Sequence, residues 1–519
     1  MQLTTQSSGR PVRQLLPPLL RWVIIVGMFA LAFGIRFYNL DKPPLDFHPT
    51  RQHWSAIIAR GYYFESLNST SDSMRQAAIA NKQGQGIVEP RIMELLALAM
   101  YRLFGAELLL FPRLLSSVFW LISGAFLYLL TTKLIPEDAA LLTTAFYLFL
   151  PFGVSASRSF MPDPMMVMML VISILAIYRY HEQPSRPRLA SAAAASAFSI
   201  LVKPICVFPI FGAFVSLSAS RHGMRRGVAN ASLLAFIAIS VLPASLFYSY
   251  RTLISADLQE QVQTRFLFNL LLHEFYWRGW IRLIGRVIGY PAFLAALLGV
   301  LLYTHRKPRA LLLGLWGGYV VFCLIFTYHI HTHDYYHLQL IPIVALSLGS
   351  VAELITRSLT QTCTRWYWRA AALGIFALAV LLSSAQVLRG QPADSELEDR
   401  VRIAHEVGHV VDHSTETIYL APYYGKPLQY HGGISGSRWP NSGDFRVLEL
   451  QTKPNPSVQE WFNQLDPTCE KEFFIVTDFE EFQLQDELRQ FLVQNFAILA
   501  QSQDYLIFDL RRDAFPPVE

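Results

Sequence analysis

Residues 88–130 read VEPRIMELLALAMYRLFGAELLLFPRLLSSVFWLISGAFLYLL. The two halves are apolar in different ways. From position 112 the run stays apolar for about twenty residues, the length that crosses a hydrocarbon core. The earlier stretch, 91–104, carries Arg91, Glu94 and Arg102. Charges at that density cannot face lipid on all sides, so this half is expected to lie along the interface as an amphipathic helix. A spanning helix entered from an interfacial one is thus the unit from which the rest of the chain is read.

Ten further stretches can span: 21–38, 139–157, 164–180, 189–204, 206–220, 227–248, 281–303, 310–328, 335–356 and 370–388. Composition agrees. Only 16% of the 519 residues are charged, where a soluble chain carries about 25%. The expected fold class is mainly α, a polytopic transmembrane helical bundle of about 11 spans, with room for up to 13. Disorder, a coiled coil and a nucleic-acid-binding protein are excluded. The first span has no small-residue cleavage site after it and reads as an anchor. The four cysteines, Cys206, Cys323, Cys363 and Cys469, are far apart and form no CxxC pair, so neither a disulfide framework nor a zinc–thiolate site is expected.

Lys and Arg collect in cytoplasmic loops. With Arg10, Arg13 and Arg21 inside, the inner loops hold Lys133, then Arg179, Arg186 and Arg188. Next come Arg221, Arg225 and Arg226, then Arg306, Lys307 and Arg309, then Arg357, Arg365 and Arg369. The short outer loops hold only Arg158 and Lys203. This frame requires 91–104 not to span and makes 39–111 one long outer loop with interfacial helices; a second outer loop is 251–278. The N-terminus is then cytoplasmic, and residues 389–519 are extracytoplasmic, in a multi-pass protein of the plasma (inner) membrane. The chain divides into a membrane domain, 1–388, and a small α/β tail, 389–519. The tail has strand-like runs at Thr417–Leu420, 473–477 and 505–510, with an amphipathic segment at 484–496.

Ionisable groups at membrane depth are costly and mark candidate sites. Asp46 follows the first span in LDFHPTRQHW, beside His48, Arg51 and His53. Asp163 opens the fourth span in SRSFMPDPMM, with Arg158 five residues earlier. Both fall at outer helix ends and could share one outward cavity. The plainer reading of Asp163 is a helix cap followed by proline. Lys203, in ILVKPIC, lies about thirteen residues past Ala190, roughly 20 Å along a helix. It could snorkel or meet an anion such as a lipid phosphate. Arg265, His273, Glu274 and Arg278 lie in the loop 251–278. The turn HIHTHDYYH, 329–337, is dense in histidine and could bind metal, yet its spacing fits no standard zinc motif. A hydrogen-bonding rim is the plainer reading.

Taken in order, these pieces resemble the GT-C membrane glycosyltransferases, in the protein-mannosyltransferase and aminoarabinose-transferase-like branch. The likeness runs over residues 15–390. It rests on the Asp-containing first loop, VEPRIMELLALAMYRLFGAE, FPRLLSSVFWLISGAFLYLL, SRSFMPDPMM, the Lys-Pro near the fifth span and YYHLQLIP. The resemblance implies a sugar donor on a polyprenyl phosphate, and a lipid, glycan or protein acceptor at the outer face of the bilayer. Transfer would invert the sugar carbon. Asp46 would match the family's first-loop catalytic aspartate and Asp163 its second acidic residue. Lys203 would match the basic residue near the lipid phosphate, aided by Arg158 or Arg265. His48, Arg51, Tyr335, Tyr336 and His337 would form the acceptor and cavity rim. Glu89 and His273 fall where some members place ligands of a divalent cation. One departure stands out: the family's first loop often reads Asp-Glu, whereas Asp46 is followed by Phe47 and His48. The rival reading is a membrane transporter or lipid flippase, which calls for inverted repeats and broken helices near the midplane. No repeat is visible, and the ionisable residues gather at one end.

Overall fold

The computed structural model describes residues 16–67, 73–228, 230–254, 266–362, 366–389, 394–451 and 453–511. All eleven expected stretches fall on helices. Among the described residues, 7 helices are long and apolar enough to cross a membrane, and 9 if each of two bent pairs is one span. The protein is a multi-pass membrane protein. Its most enclosed helix is Asp163–Glu182, which the others surround.

Two expected spans are broken, for local reasons. Glu137–Phe149 and Pro151–Ser157 meet at 59°. Leu150 precedes a proline and is extended (φ −59, ψ 120), as the ring clash with the preceding residue requires. Glu274–Val287 and Tyr290–Leu302 meet at 93°, around Gly289 at φ 83, a left-handed conformation open to glycine. The expected span 281–303 therefore needs correction. Its first half carries Glu274, Arg278, Arg282 and Arg286 at every fourth position, one charged stripe on a helix that ends before the apolar segment begins. Elsewhere glycine permits close packing. A Cβ on Gly212 would sit 2.1 Å from Gly314 O, and one on Gly318 would sit 2.3 Å from Phe208 O, so Val207–His222 and Arg306–Ile325 touch backbone to backbone.

At one end of the bundle lie the helices Pro49–Glu65, Ser73–Gly84 and Ile92–Phe104. The last covers the stretch expected to lie along the interface and is closed by Gly105 in the left-handed region. The tail packs on this end. Its sheet has the order β2-β1-β3-β5-β4, with β1 Thr417–Leu420, β2 Gly436–Arg438, β3 Phe473–Val476, β4 Ala497–Gln501 and β5 Leu506–Asp509. β1 is parallel to β2 and β3, and β5 is antiparallel to β3 and β4. Side chains alternate between faces along each strand. Ile418, Phe474 and Phe508 meet Phe462, Leu488 and Leu492 on one face. Tyr419, Ile475 and Ile507 meet Ala404 and Val407 of Asp394–Val410 on the other.

The short helix Lys426–Gly432 and the residues on either side of it meet the first loop. Thr50 Oγ1 donates to Tyr423 O at 3.2 Å, Asn81 Nδ2 to Ile434 O at 2.7 Å, and Tyr430 OH to Glu107 at 2.5 Å. Arg60 donates to Tyr430 O and lies over the Tyr430 ring.

Candidate functional site

Lys203 stands where a helix stops. Pro204 follows it, and the residue before a proline avoids the helical region, so Lys203 is extended (φ −155, ψ 114) between Arg186–Val202 and the turn Pro204–Cys206. Its ammonium donates to Asp163 Oδ1 at 2.7 Å and lies 3.8 Å from Glu89 Oε1. Asp163 is fully buried and caps nothing: no side-chain cap bond forms at its helix. The capping expectation is therefore corrected. A carboxylate taken out of water needs a counter-charge, and Lys203 supplies it.

Glu89 also accepts from Arg51 Nη2 at 2.9 Å. Arg51, Glu89, Lys203 and Asp163 thus form a chain of alternating charge. It flanks a cavity of about 280 Å³ whose other walls include Trp54, Tyr335, Tyr336 and His329 from the membrane part and Tyr424, Lys426 and Arg438 from the tail. Tyr335 and Tyr336, in the turn Asp334–His337, each place a ring 5.1 Å from the Lys203 ammonium. The tail's residues are aimed by an unusual loop: Tyr423, Tyr424 and Gly425 all have positive φ (56°, 57° and 67°). Left-handed backbone costs a side-chain-bearing residue about 1–2 kcal/mol. A Cβ on Gly425 would fall 2.2 Å from the Tyr419 ring, so only glycine fits there.

Asp46 has a different setting. Its Oδ2 accepts from Arg113 Nη2 at 2.6 Å and lies 3.9 Å from Arg158 Nη2, while Gln52 Nε2 reaches Oδ1 at 3.3 Å. Gln52 in turn accepts from Phe160 N at 2.9 Å, tying the first loop to the segment before Asp163. Neither aspartate lines the cavity, which corrects the expectation of a shared one. Next to Asp46, His48 takes a left-handed backbone (φ 44) ahead of Pro49. Its Nε2 lies 2.5 Å from Asp334 Oδ1, and its ring meets Tyr335 edge-on at 4.7 Å. Asp334 is held from its other oxygen by Arg286 at 3.2 Å. With Nε2–H donated to Asp334, Nδ1 is the nitrogen left to accept a proton.

Other expected site residues fall elsewhere. Arg158 is buried and donates to Tyr38 O at 2.7 Å; it serves the Asp46 side, not the Lys203 side. His337 is fully buried, with Nε2 donating to Ile330 O at 2.9 Å and Nδ1 accepting from Tyr319 OH at 2.6 Å, so it is packed inside and forms no rim. Arg265 lies outside the described residues. His273 is exposed and stacks on Phe275 at 5.3 Å. Two cations already hold Glu89, a setting that opposes a divalent ion. Among the described residues no group of three or more His, Cys, Asp or Glu is placed to hold a metal. The surroundings of Glu89 and His273 do not fit a cation site.

Arg113 and the three tail residues are functional candidates that sequence reasoning did not single out, and Asp334 was seen only as part of the histidine-rich turn. Arg113 carried a signal, an arginine inside the apolar run FPRLLSS. Lys426 and Arg438 carried none, because nothing in a polar tail marks which cation turns inward.

The sequence model of the family described as Dolichyl-phosphate-mannose-protein mannosyltransferase matches residues 89–247. The crystal structure of ArnT from Cupriavidus metallidurans bound to undecaprenyl phosphate superposes with a TM-score of 0.58 at 15% identity, covering 95% of this chain and 99% of that one. The chain shares the fold of that structure. The zinc and sulfate complex of the Archaeoglobus fulgidus oligosaccharyltransferase gives a TM-score of 0.53 at 12% identity, over 87% of this chain and 68% of that one. Archaeal AglB from Archaeoglobus fulgidus, in complex with an inhibitory peptide and a dolichol-phosphate, gives 0.52 at 12% identity, over 96% and 76%. The comparison with curated protein sequences found no match. Family match and shared fold together support the resemblance drawn from the sequence.

Proposed function

We propose that this chain is a membrane glycosyltransferase that moves a monosaccharide from a polyprenyl-phosphate donor to an acceptor at the outer face of the membrane, with inversion. The observation that carries this reading is the charge chain Arg51–Glu89–Lys203–Asp163, half-buried at one end and buried at the other, beside a tyrosine-walled cavity, in a fold shared with proteins solved with undecaprenyl phosphate and dolichol-phosphate. In the same reading the N-terminus is cytoplasmic, residues 1–388 are catalytic and 389–519 form an extracytoplasmic domain.

In the reaction, the acceptor oxygen forms a bond to the sugar carbon as the carbon–phosphate oxygen bond breaks. The electron pair leaves with the lipid phosphate. That leaving group needs positive charge, not a proton, and Lys203 and Arg51, already held in place by Glu89, supply it without reorganising. Asp46 is the proposed general base for the acceptor proton. A specific observation favours a second assignment: Asp46 is clamped by Arg113 and Gln52 while the His48–Asp334 pair stands against Tyr335 on the cavity wall. In that version His48 takes the proton through Nδ1, and Asp334 stabilises the imidazolium. The test is to overexpress the protein in cells, where acceptors are present, and follow in lipid extracts which sugar disappears from polyprenyl phosphate. Loss of one lipid-linked sugar with release of polyprenyl phosphate supports the reading; no turnover of any lipid-linked sugar by folded protein rejects it.

A further inference from the structure

Three of the four Lys and Arg side chains lining the cavity are neutralised. Arg51 has Glu89 at 2.9 Å, Lys203 has Asp163 at 2.7 Å, and Arg438 has Asp444 at 2.5 Å. Lys426 differs. It is 9% exposed, and among the described residues no carboxylate pairs with it. Its ammonium donates only to the neutral oxygens of Gln85, at 2.8 Å, and Gln429, at 3.1 Å, and stands 5.1 Å from the Trp54 ring on the opposite wall. A buried ammonium without a counter-ion is a costly arrangement. Burial first, and Arg438 second, push Lys426 down to about 7. Burial thus weakens this lysine's hold on its proton, and an anion beside it would restore the charge and add a hydrogen bond.

We propose that Lys426, carried into the cavity by the tail, is the counter-charge for an anionic group, a carboxylate or phosphate, on the sugar or the acceptor. This rests on the glycosyltransferase reading and adds a second anion to it, apart from the lipid phosphate given to Lys203 and Arg51. The left-handed run Tyr423–Gly425 immediately precedes this lysine, and the bond to Gln85 of the first loop holds the ammonium at the seam between tail and bundle. Gln85 and Lys426 are 341 residues apart in sequence, yet the tail forms one wall of the cavity that the first loop opens.

The full chain in lipid nanodiscs decides. Three probes are titrated: undecaprenyl phosphate, the pair glucuronate 1-phosphate and glucose 1-phosphate, and inorganic phosphate added to protein saturated with undecaprenyl phosphate. A sugar-borne anion makes glucuronate 1-phosphate bind tighter than glucose 1-phosphate, and Lys426→Gln removes that gain. An acceptor-borne anion instead lets inorganic phosphate bind the lipid-saturated protein in a Lys426-dependent way. Either loss should be about tenfold to a hundredfold, as for one hydrogen bond to a charged group, with Lys426→Arg recovering most of it. Undecaprenyl phosphate affinity should stay within about twofold, a change smaller than one net hydrogen bond produces. Lys426→Gln affecting neither soluble probe, lowering only thermal stability, or weakening undecaprenyl phosphate equally would overturn the proposal. Failure of undecaprenyl phosphate to bind the parent protein at all would instead reject the underlying glycosyltransferase reading.

Discussion

Replacing Asp46 by Asn separates two roles that one carboxylate could fill. As a general base, Asp46 is worth about 10²–10⁴ in rate, or roughly 2.7–5.5 kcal/mol at 1.36 kcal/mol per decade. As a counter-charge, it sits 2.6 Å from Arg113 and 3.9 Å from Arg158, both nearly sealed from solvent. Stripping one partner from such a buried pair costs about 3–5 kcal/mol of stability. Asparagine keeps the shape and can still accept from Arg113 through its oxygen, so the stability loss should fall at the lower end. The assay is single-turnover transfer in nanodiscs, at a temperature where the variant's melting curve shows it folded, with His48→Gln measured beside it. If Asp46 is the base, Asp46→Asn loses at least a hundredfold and His48→Gln far less. A folded Asp46→Asn protein within about threefold of the parent rate, a change of only ~0.7 kcal/mol, refutes the assignment. A large loss in His48→Gln then moves the base to the His48–Asp334 pair.

Lys203→Gln should raise the apparent KM for the lipid-phosphate donor about tenfold or more, as expected for a hydrogen bond to a charged group. Unchanged donor affinity with a lower melting temperature would mean that Lys203 only neutralises Asp163. Docking of the tail should depend on pH through His53, whose ring lies 3.3 Å from His431. Burial first, then Arg60 and Arg113, hold His53 down at about 4 from the usual 6.5, although its bond to Pro49 O works the other way. The undocked, solvated ring binds the proton better, so its contribution is fully present above about 6.5 and is lost as pH falls toward 4. Protection factors of the tail amides, corrected for the intrinsic exchange rate at each pH, should fall from pH 7.5 to 5, and His53→Gln should flatten that fall; protection factors indifferent to pH would show that this pair does not hold the tail. Finally, a reporter fused after Arg389 should be active only outside the cytoplasm, and a fusion active in the cytoplasm would invert the proposed orientation.

The span positions were legible because hydropathy over about twenty residues is a strong, local signal. The bends were less so. Leu150–Pro151 and Gly289 lie inside otherwise apolar runs, and a window average hides a single residue whose dihedral angle redirects the chain. The strands β1, β3 and β5 were visible as short apolar runs, whereas β2 and the edge strand β4, half exposed, have no pattern to show. Among site residues, Lys203 and Asp163 were readable as charges at membrane depth, but their mutual pairing was not, since 40 residues separate them. Arg158 was read by its nearness in sequence to Asp163, yet it points back to the first loop. His337 was read as rim from its place in a histidine-rich turn. The turn's 3-10 winding instead aims Tyr335 and Tyr336 at the cavity and His337 at Tyr319.

Charge balance gives these placements a common cause. Ions withdrawn from water need counter-charges, so each of these carboxylates, buried or half-buried, is matched from a distant element: Asp163 by Lys203, Glu89 by Arg51, Asp46 by Arg113. Each match pins two segments together and fixes the loops around the cavity before any substrate arrives. In the proposed reaction Lys203 and Arg51 are given to the lipid phosphate, so a second anion needs a cation outside this set, and the tail brings one in the form of Lys426. It starts a short helix of the tail and is restrained by two amides, Gln85 and Gln429, that carry no charge. A fold that needed the tail only as a cover could have closed the cavity with any polar residue. The tail's strained turn and unmatched lysine make sense when the tail completes the electrostatics of the site as well as its walls.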